Sequence, residues 1–492
     1  MPCRDITIKE VVCKDHHRQG LSLITAENLL IERCTIRGTQ GTDPPAARRD
    51  SRGLSCAGPA GSLFGSTGGN QIMSRTQLTR RRFIANASVA AAGLGLSAKV
   101  LKAAPGANER ISIGLIGCGS RCTDHRNSIT KLKDAQNVRI TALCDVWKVN
   151  VEQYAGAVQK GFGEPPKTYS RFKELLESKD VDAVVIATPD FSHGPILVAA
   201  LEAGKDVYIE KPMTIQLQYA NQALDLARQK ERVVQVGTQY RSQPALIGVA
   251  KEVAAGTIGT ISRVSSAASF NHPRWKQKDL AACKAADVDW DAYLLDLPKR
   301  PFDASLLREW QLHRETSNGL PGLWMVHYVD AMAMMLNAKY PRTGVAHGGN
   351  YAWKDGRDHA DTVSVLLDYP EGFLFDWGMS LGTGADWRFC IYGKDGTIEP
   401  QDQQNLSAKT WNVSSRGGYD IKNSKITEHK VEPVPTTDHM QNWLECMRTR
   451  ERPHGDIQFG HQHAVASILA AEALTSGKRQ QYDPEKRTIA PA

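Results

Sequence analysis

The sequence predicts an α/β unit built on a doubly wound parallel sheet, followed by an α+β unit with a large, mostly antiparallel sheet. Three observations predict this. Residues 110–119 (RISIGLIGCG) form an apolar run that ends in closely spaced glycines, as a strand does when a tight turn leads into a helix. Apolar strand-like runs then alternate with helical ones as far as residue 236, the pattern of parallel strands joined by crossover helices. Beyond residue 237 the runs alternate and are rich in β-branched and aromatic residues, the mark of antiparallel strands with one covered face. Residues 1–108 stand mostly outside this fold.

Composition bounds the function. At 492 residues the chain has room for two or three domains, and its 41% hydrophobic and 23% charged content is ordinary for a globular enzyme. The net charge of +8 is concentrated: residues 1–109 hold fifteen Lys/Arg against eight Asp/Glu, leaving +1 for the rest. Charge therefore makes no case for nucleic acid or anionic lipid as a partner. The ten cysteines show no CxxC and no zinc spacing. Cys118, Cys144 and Cys390 lie in apolar contexts suited to inert thiols, and the histidines offer no metal set.

The first 108 residues divide in two. Residues 79–84 (TRRRFI) precede the small, weakly apolar run 85–98, a pattern that resembles a twin-arginine export signal. That run is too rich in Gly and Ala for a stable membrane span. With translation starting near Met73, the expectation is a signal over 73–108 and an extracytoplasmic protein; otherwise the chain is cytoplasmic. In residues 1–72, two stretches align at an offset of 23: Ile6 with Leu29, Ile8 with Ile31, Val11 with Cys34 and Cys13 with Ile36. Alternating apolar positions at a rung-length period resemble two coils of a right-handed parallel β-helix of the pectate-lyase type.

The third expected segment, 109–236, binds a dinucleotide. Gly117 and Gly119 allow a tight turn and close approach of Cys118, Ser120 and Arg121 to a pyrophosphate at a helix N-terminus. The third glycine of the usual pattern is replaced by Cys122, a position that serves helix–strand packing. Residues 138–144 read as the next strand, and Asp145 ends it. A carboxylate there accepts the adenosine ribose hydroxyls and repels a 2′-phosphate, favouring NAD over NADP. A strand at 182–187 leads into 188–193 (TPDFSH), and another at 207–210 leads into Lys211 and Pro212. Helices are expected at 149–159, 172–177, 195–203 and 216–229. A lysine at the carboxyl end of a buried strand lies where open α/β sheets bind ligands, and burial lowers its pKa toward the range useful for proton transfer.

The order Gly-x-Gly, strand-end Asp145, Thr-Pro-Asp-x-x-His, Glu-Lys-Pro and 236–241 (VGTQYR) resembles the Gfo/Idh/MocA oxidoreductases over residues 110–475. The resemblance implies a Rossmann domain that binds NAD. Thr188 and Pro189 would face the nicotinamide ribose, with Asp190, His193 and Gln239 close by. Glu210 and Lys211 would sit beside the nicotinamide, and Lys211 would reach the substrate hydroxyl that loses its proton. It also implies a homo-oligomer formed through the sheet of the second unit.

That second unit spans 237–480, with residues 481–492 as a tail. Strands are expected at 261–270, 343–353, 361–369, 372–380 and 388–393, and helices at 439–448 and 460–474. Family members carry Asp-x-Gly-x-His before a helix here, and the corresponding text is 317–330 (SNGLPGLWMVHYVD). His327 is present, but Leu323 stands four residues before it in place of the Asp. His327 thus becomes the main partner of Lys211 in acid/base work, with Asp330 as its candidate orienting group. Tyr240, Arg241, Trp310 and Trp324 are candidates for a carbohydrate pocket, since sugars stack on aromatic rings and bond to fixed polar groups.

These residues support an exported NAD-dependent oxidoreductase acting on a sugar or sugar derivative. Two alternatives follow from the same resemblance: an NAD-dependent glycosidase with no net redox change, and a catalytically silent sugar sensor.

Overall fold

The computed structural model describes residues 110–277, 279–401 and 405–492, together with the backbone of six short strands between residues 3 and 37. The chain divides into two units, Met1–Lys99 and Val100–Ala492. In the first, Cys3–Arg4, Thr7–Lys9 and Val12–Lys14 pair in parallel with Ala26–Glu27, Leu30–Glu32 and Thr35–Arg37. The register joins Thr7 to Leu30 and Ile8 to Ile31, the offset at which the sequence repeats. The arginine-rich segment 79–98 lies outside the described residues.

The second unit opens on a six-stranded sheet. Its strands are β1 (Ile111–Ile116), β2 (Val138–Cys144), β3 (Lys167–Tyr169), β4 (Ala183–Ile186), β5 (Asp206–Ile209) and β6 (Val234–Val236). All pair in parallel in the order β6-β5-β4-β1-β2-β3. The order reverses between β1 and β4, and ligand crevices in such sheets open at the carboxyl ends of the strands at that point. Helices α1 (Ser120–Leu132), α2 (Lys148–Phe162), α3 (Phe172–Glu177), α4 (Asp190–Glu202) and α5 (Leu217–Gln229) make the crossovers. Strands β4 and β5 are buried at every position, as covering on both faces requires.

Helix α4 starts at Asp190, five residues before the expected boundary. Pro195 lies within it as the sixth residue, where its missing N–H removes one i→i−4 hydrogen bond of the helix. Asp190 and His193 are fixed on a first helical turn instead of a loose loop.

A ten-stranded sheet forms the other half. In chain order its strands are β7 (Ile261–Ala267), β8 (Thr343–Gly349), β9 (Thr362–Tyr369), β10 (Phe373–Ser380), β11 (Arg388–Gly393), β12 (Thr397–Pro400), β13 (Trp411–Ser414), β14 (His429–Lys430), β15 (Gln480–Asp483) and β16 (Thr488–Pro491). They run in the order β14-β13-β12-β11-β7-β10-β9-β8-β15-β16. Pairing is antiparallel except between β7 and β10. One face is core: Val363, Val365, Leu367, Phe375, Trp377, Phe389 and Trp411 are buried beside helices α6 (Val326–Leu336) and α8 (Ile457–Ser476). The opposite face leaves Leu366 42% and Leu374 36% exposed.

Two expectations about segment boundaries change. Residues 481–492 are not a tail; β15 and β16 extend the sheet edge, because Tyr482 is buried against Tyr340 and Arg487 pairs with Asp225 at 2.8 Å. Helix α7 (His439–Thr449) packs Met440, Trp443 and Leu444 against Ile113, Leu115 and Tyr208 of the parallel sheet. The chain thus returns to its first half after building the second.

Candidate active site

The carboxyl ends of β1, β2, β4 and β5 open into one cavity of about 1080 Å³, which loops and helices of the second sheet's half close from the other side. Gly117 holds φ at +88°, and a Cβ there would stand 2.7 Å from the Ala187 carbonyl oxygen. Only glycine fits that turn. Gly119 differs, because a Cβ there would meet nothing within 4 Å. It faces open space at the start of α1, beside Ser120 and Arg121 on the cavity wall. The side chain of Cys118 turns into the core instead, 2% exposed, with its thiol pKa pushed up by burial.

Asp145 is pinned in the wall. Its carboxylate accepts from the main-chain N–H of Cys118 at 2.7 Å, from that of Trp147 at 2.8 Å and from Asn150 Nδ2 at 3.2 Å. Burial raises its pKa, and those three hydrogen bonds pull it back down.

Glu210 anchors the other end of the site. It accepts from Arg121 Nε at 2.7 Å and from the Lys211 main-chain N–H at 3.1 Å, and meets His125 Nε2 at 2.8 Å. Gln239 Nε2 lies 3.5 Å away. Burial pulls its pKa upward, but the His125 hydrogen bond and the Arg121 charge hold the carboxyl well below the usual range. Glu210 is thus a fixed anion that tethers α1 to the end of β5.

Lys211 projects into the cavity, where Nζ donates to the Leu323 main-chain carbonyl at 2.8 Å. Leu323 belongs to a π-helical turn, Pro321–Met325, ahead of α6. Such turns interrupt the regular ladder and recur at functional sites. Burial lowers the lysine pKa, opposed by Asp190 and Glu210. Asp190 is 2% exposed, and its carboxyl is raised to about 7 by burial, with Lys211 and a Ser317 hydrogen bond pulling it back. This residue, expected among the cofactor contacts, is a buried carboxylate whose charge acts on Lys211.

Thr188, Pro189 and His193 also line the cavity. The His193 ring ties the turn together, with Nδ1 2.7 Å from the Pro212 carbonyl and Nε2 2.9 Å from that of Thr188. His327 lines the cavity as well. Its pKa is pushed down to about 3 by burial and the Lys211 charge, so the ring is neutral at physiological pH. Its Nδ1 is buried without a hydrogen-bond partner among the described residues.

The orienting role considered for Asp330 is not what the structure shows. Its carboxylate accepts from Arg241 Nε at 2.8 Å and meets His463 Nδ1 at 3.2 Å. Asp330 is 1% and Arg241 4% exposed. The two form a buried ion pair behind the site, since each is the other's compensation for lost hydration. Tyr240 stands behind His327, ring centroids 5.7 Å apart in an edge contact. Trp310 and Trp324 do line the cavity.

Sequence reasoning passed over His125, Arg274 and Trp275. His125 is a mid-helix histidine whose partner lies 85 residues away, and no local pattern marks it. Arg274 and Trp275 follow His272 and Pro273 in a loop with no motif, though two bulky residues with positive φ define its shape.

Comparison with known proteins matches this geometry. A model described as "Oxidoreductase family, NAD-binding Rossmann fold" fits residues 111–238, and one described as "GFO/IDH/MocA C-terminal domain" fits residues 298–399. Scyllo-inositol 2-dehydrogenase (NAD(+)) of Bacillus subtilis is 29% identical over 153 residues, covering 30% of this chain and 42% of that protein. An alpha-N-acetylgalactosaminidase of Shewanella oneidensis is 26% identical over 178 residues, covering 35% and 38%. The chain thus spans less than half the length of these curated relatives. The aldose–aldose oxidoreductase of Caulobacter crescentus shares the fold, with a TM-score of 0.57 at 18% identity, over 76% of this chain and 99% of that one. An NAD-binding Rossmann domain followed by the C-terminal domain of the same name places the chain in the Gfo/Idh/MocA oxidoreductase family.

Proposed function

We propose that this protein is an NAD-dependent oxidoreductase acting on a CH–OH group of a sugar or sugar derivative. The observation that carries the reading is the placement of Lys211. Its amine lies in the cavity that also holds the Gly117–Gly119 turn and Asp145. The residues fit the cofactor: the space over Gly119 is open to a pyrophosphate at the α1 N-terminus, and Asp145 is fixed where the ribose hydroxyls would lie. Thr188, Pro189, Glu210 and Gln239 would border the nicotinamide end. Bound NAD supplies a hydride acceptor.

The chain's own contribution is proton transfer and positioning. Burial favours the neutral amine of Lys211, which is the form that takes a hydroxyl proton. The Leu323 carbonyl fixes where that amine points. His327, kept neutral, serves as a hydrogen-bonding anchor for the substrate while Lys211 carries the proton. Asp190 stabilises the ammonium once it forms.

A second reading is glycosidic bond cleavage with no net redox change, supported by the likeness to an alpha-N-acetylgalactosaminidase. Incubating the purified chain with NAD and a panel of sugars and aryl glycosides separates the two. Accumulating NADH supports the oxidoreductase, and release of aryl alcohol without NADH supports the glycosidase. Neither product from any substrate would overturn both and leave the sugar sensor.

Three further proposals come from other parts of the chain. The arginine-rich segment 79–98 supports twin-arginine export, testable with a reporter active only outside the cytoplasm and an Arg81→Lys/Arg82→Lys variant. The open face of the ten-stranded sheet supports a homo-oligomer. The parallel pairing at an offset of 23 supports reading residues 1–37 as two β-helix coils.

A further inference from the structure

The loop 271–277 borders the cavity in a conformation its own residues do not favour. Arg274 and Trp275 are consecutive non-glycine residues with φ of +31° and +66°, a backbone region that side-chain-bearing residues enter only when the surrounding structure holds them there. Surrounding bonds hold the loop in place. His272 N–H donates to the Leu381 carbonyl at 3.0 Å, and the Arg357 guanidinium donates to the Pro273 carbonyl. Downstream, the fully buried Glu309 accepts from Gln277 N–H at 2.7 Å and from Lys276 Nζ at 2.8 Å.

What this scaffolding positions is one guanidinium. Arg274 Cζ lies 4.5 Å from the Phe270 ring centre, 4.9 Å from Trp324 and 5.6 Å from Trp275. The aromatic collar removes water from the cation, and burial lowers its pKa. Among the described residues no carboxylate pairs with it, and its guanidinium N–H groups make no hydrogen bond. By contrast, Arg121, Arg171 and Arg241 each have an acidic partner at 2.7–2.9 Å. Arg274 lines the same cavity as Lys211, and its charge acts on that lysine. It stacks on Trp324, the residue after the one whose carbonyl holds Lys211. The fork therefore belongs to the substrate end, away from Asp145.

A partly desolvated cation without a counter-charge is costly unless a ligand completes it. A planar guanidinium matches a carboxylate through two parallel hydrogen bonds. We propose that Arg274 recognises an anionic substituent, namely a carboxylate, on the sugar, so that the substrate class is acidic sugars such as hexuronates. The proposal rests on the reading of the cavity as a nicotinamide–sugar site.

The test is calorimetric titration of the NADH-loaded full chain with D-glucuronate, D-galacturonate, D-glucose, D-galactose and D-glucose 6-sulfate. At least one uronate is expected to bind about tenfold or more tighter than its matching hexose, as charge-assisted bonds predict. Arg274→Gln is expected to erase that preference while NADH affinity and melting temperature hold, which separates lost recognition from lost folding. Arg274→Lys, a point charge without the fork, is expected to lose the uronate preference more than any affinity for the sulfate ester. Hexoses binding as tightly as their acids, a preference that survives in Arg274→Gln, a preference for the sulfate ester over both uronates, or no binding by any acidic probe would each overturn the proposal. Failure to bind NADH would instead sink the nicotinamide reading and take this proposal with it.

Discussion

Lys211 Nζ donates to the main-chain carbonyl of Leu323 at 2.8 Å, across 112 residues of sequence. At the position where the family motif has a carboxylate side chain, this chain offers a carbonyl from a π-helical turn. A carbonyl positions the amine without adding a full negative charge, so the lysine stays easier to deprotonate than it would beside a second acid. Lys211→Met should lower kcat by about 10²–10⁴-fold, the usual range for a lost proton-transfer group. NADH affinity, measured by fluorescence titration, should change little. Wild-type turnover in the methionine variant would refute the assignment of Lys211.

The pH profile should carry the mark of Asp190. The active form of Lys211 is the neutral amine, so kcat/KM should rise with pH to a plateau. Burial places that rise below the ordinary lysine value of 10.5. Asp190, with a carboxyl raised to about 7, is ionised over the upper part of the profile and favours the ammonium. Removing its charge as Asp190→Asn should therefore move the rise to lower pH. His327, pushed down to about 3, should contribute no limb between pH 5 and 9. A shift to higher pH in Asp190→Asn would contradict this arrangement.

The two glycines of the turn should separate in their effects. Gly117→Ala forces a Cβ onto the Ala187 carbonyl at a φ of +88°, costing about 1–2 kcal/mol for the backbone alone. Melting temperature and NADH affinity should both fall. Gly119→Ala places its methyl in open space, so melting should be unchanged while NADH affinity falls. Equal affinity in Gly119→Ala and wild type would mean that the pyrophosphate does not lie against this turn.

Asp330 should behave as a structural residue. Asp330→Asn leaves Arg241 buried without its counter-charge, and breaking such a pair costs about 3–5 kcal/mol. Urea denaturation should show that loss, while the pH profile of the folded variant keeps its shape. A displaced profile with unchanged stability would restore the orienting role.

The open face of the large sheet offers a direct assay of assembly. Leu366 and Leu374 project from neighbouring antiparallel strands on that face. Light scattering should give a multiple of the chain mass for the wild type and a smaller mass for Leu366→Glu/Leu374→Glu. A monomeric wild type would remove the proposal.

Much of the site was legible because local rules carry it. Gly117, Gly119, Asp145 and Lys211 each end or follow a strand, where turn sterics and burial restrict the residue type regardless of the rest of the chain. His125 and Arg274 were not legible, because neither position is special until Glu210 or the Phe270–Trp324 cluster is folded against it. Arg241 and Asp330 were legible as functional types but not as partners. The family resemblance suggested the substrate pocket for Arg241, and helical spacing after His327 an orienting role for Asp330; desolvation behind the cavity instead pairs the two.

The order of strands and helices, the glycine turn and the position of the lysine therefore follow from periodicity and turn chemistry, which act over a few residues. The lysine's partners required the closed fold. The Leu323 carbonyl reaches Nζ only when the π-helical turn packs against the end of β5, and Asp190 tunes that amine only once both are removed from water. Hydrogen bonds and charge interactions of this kind depend on distance and burial, which the linear order of residues does not specify.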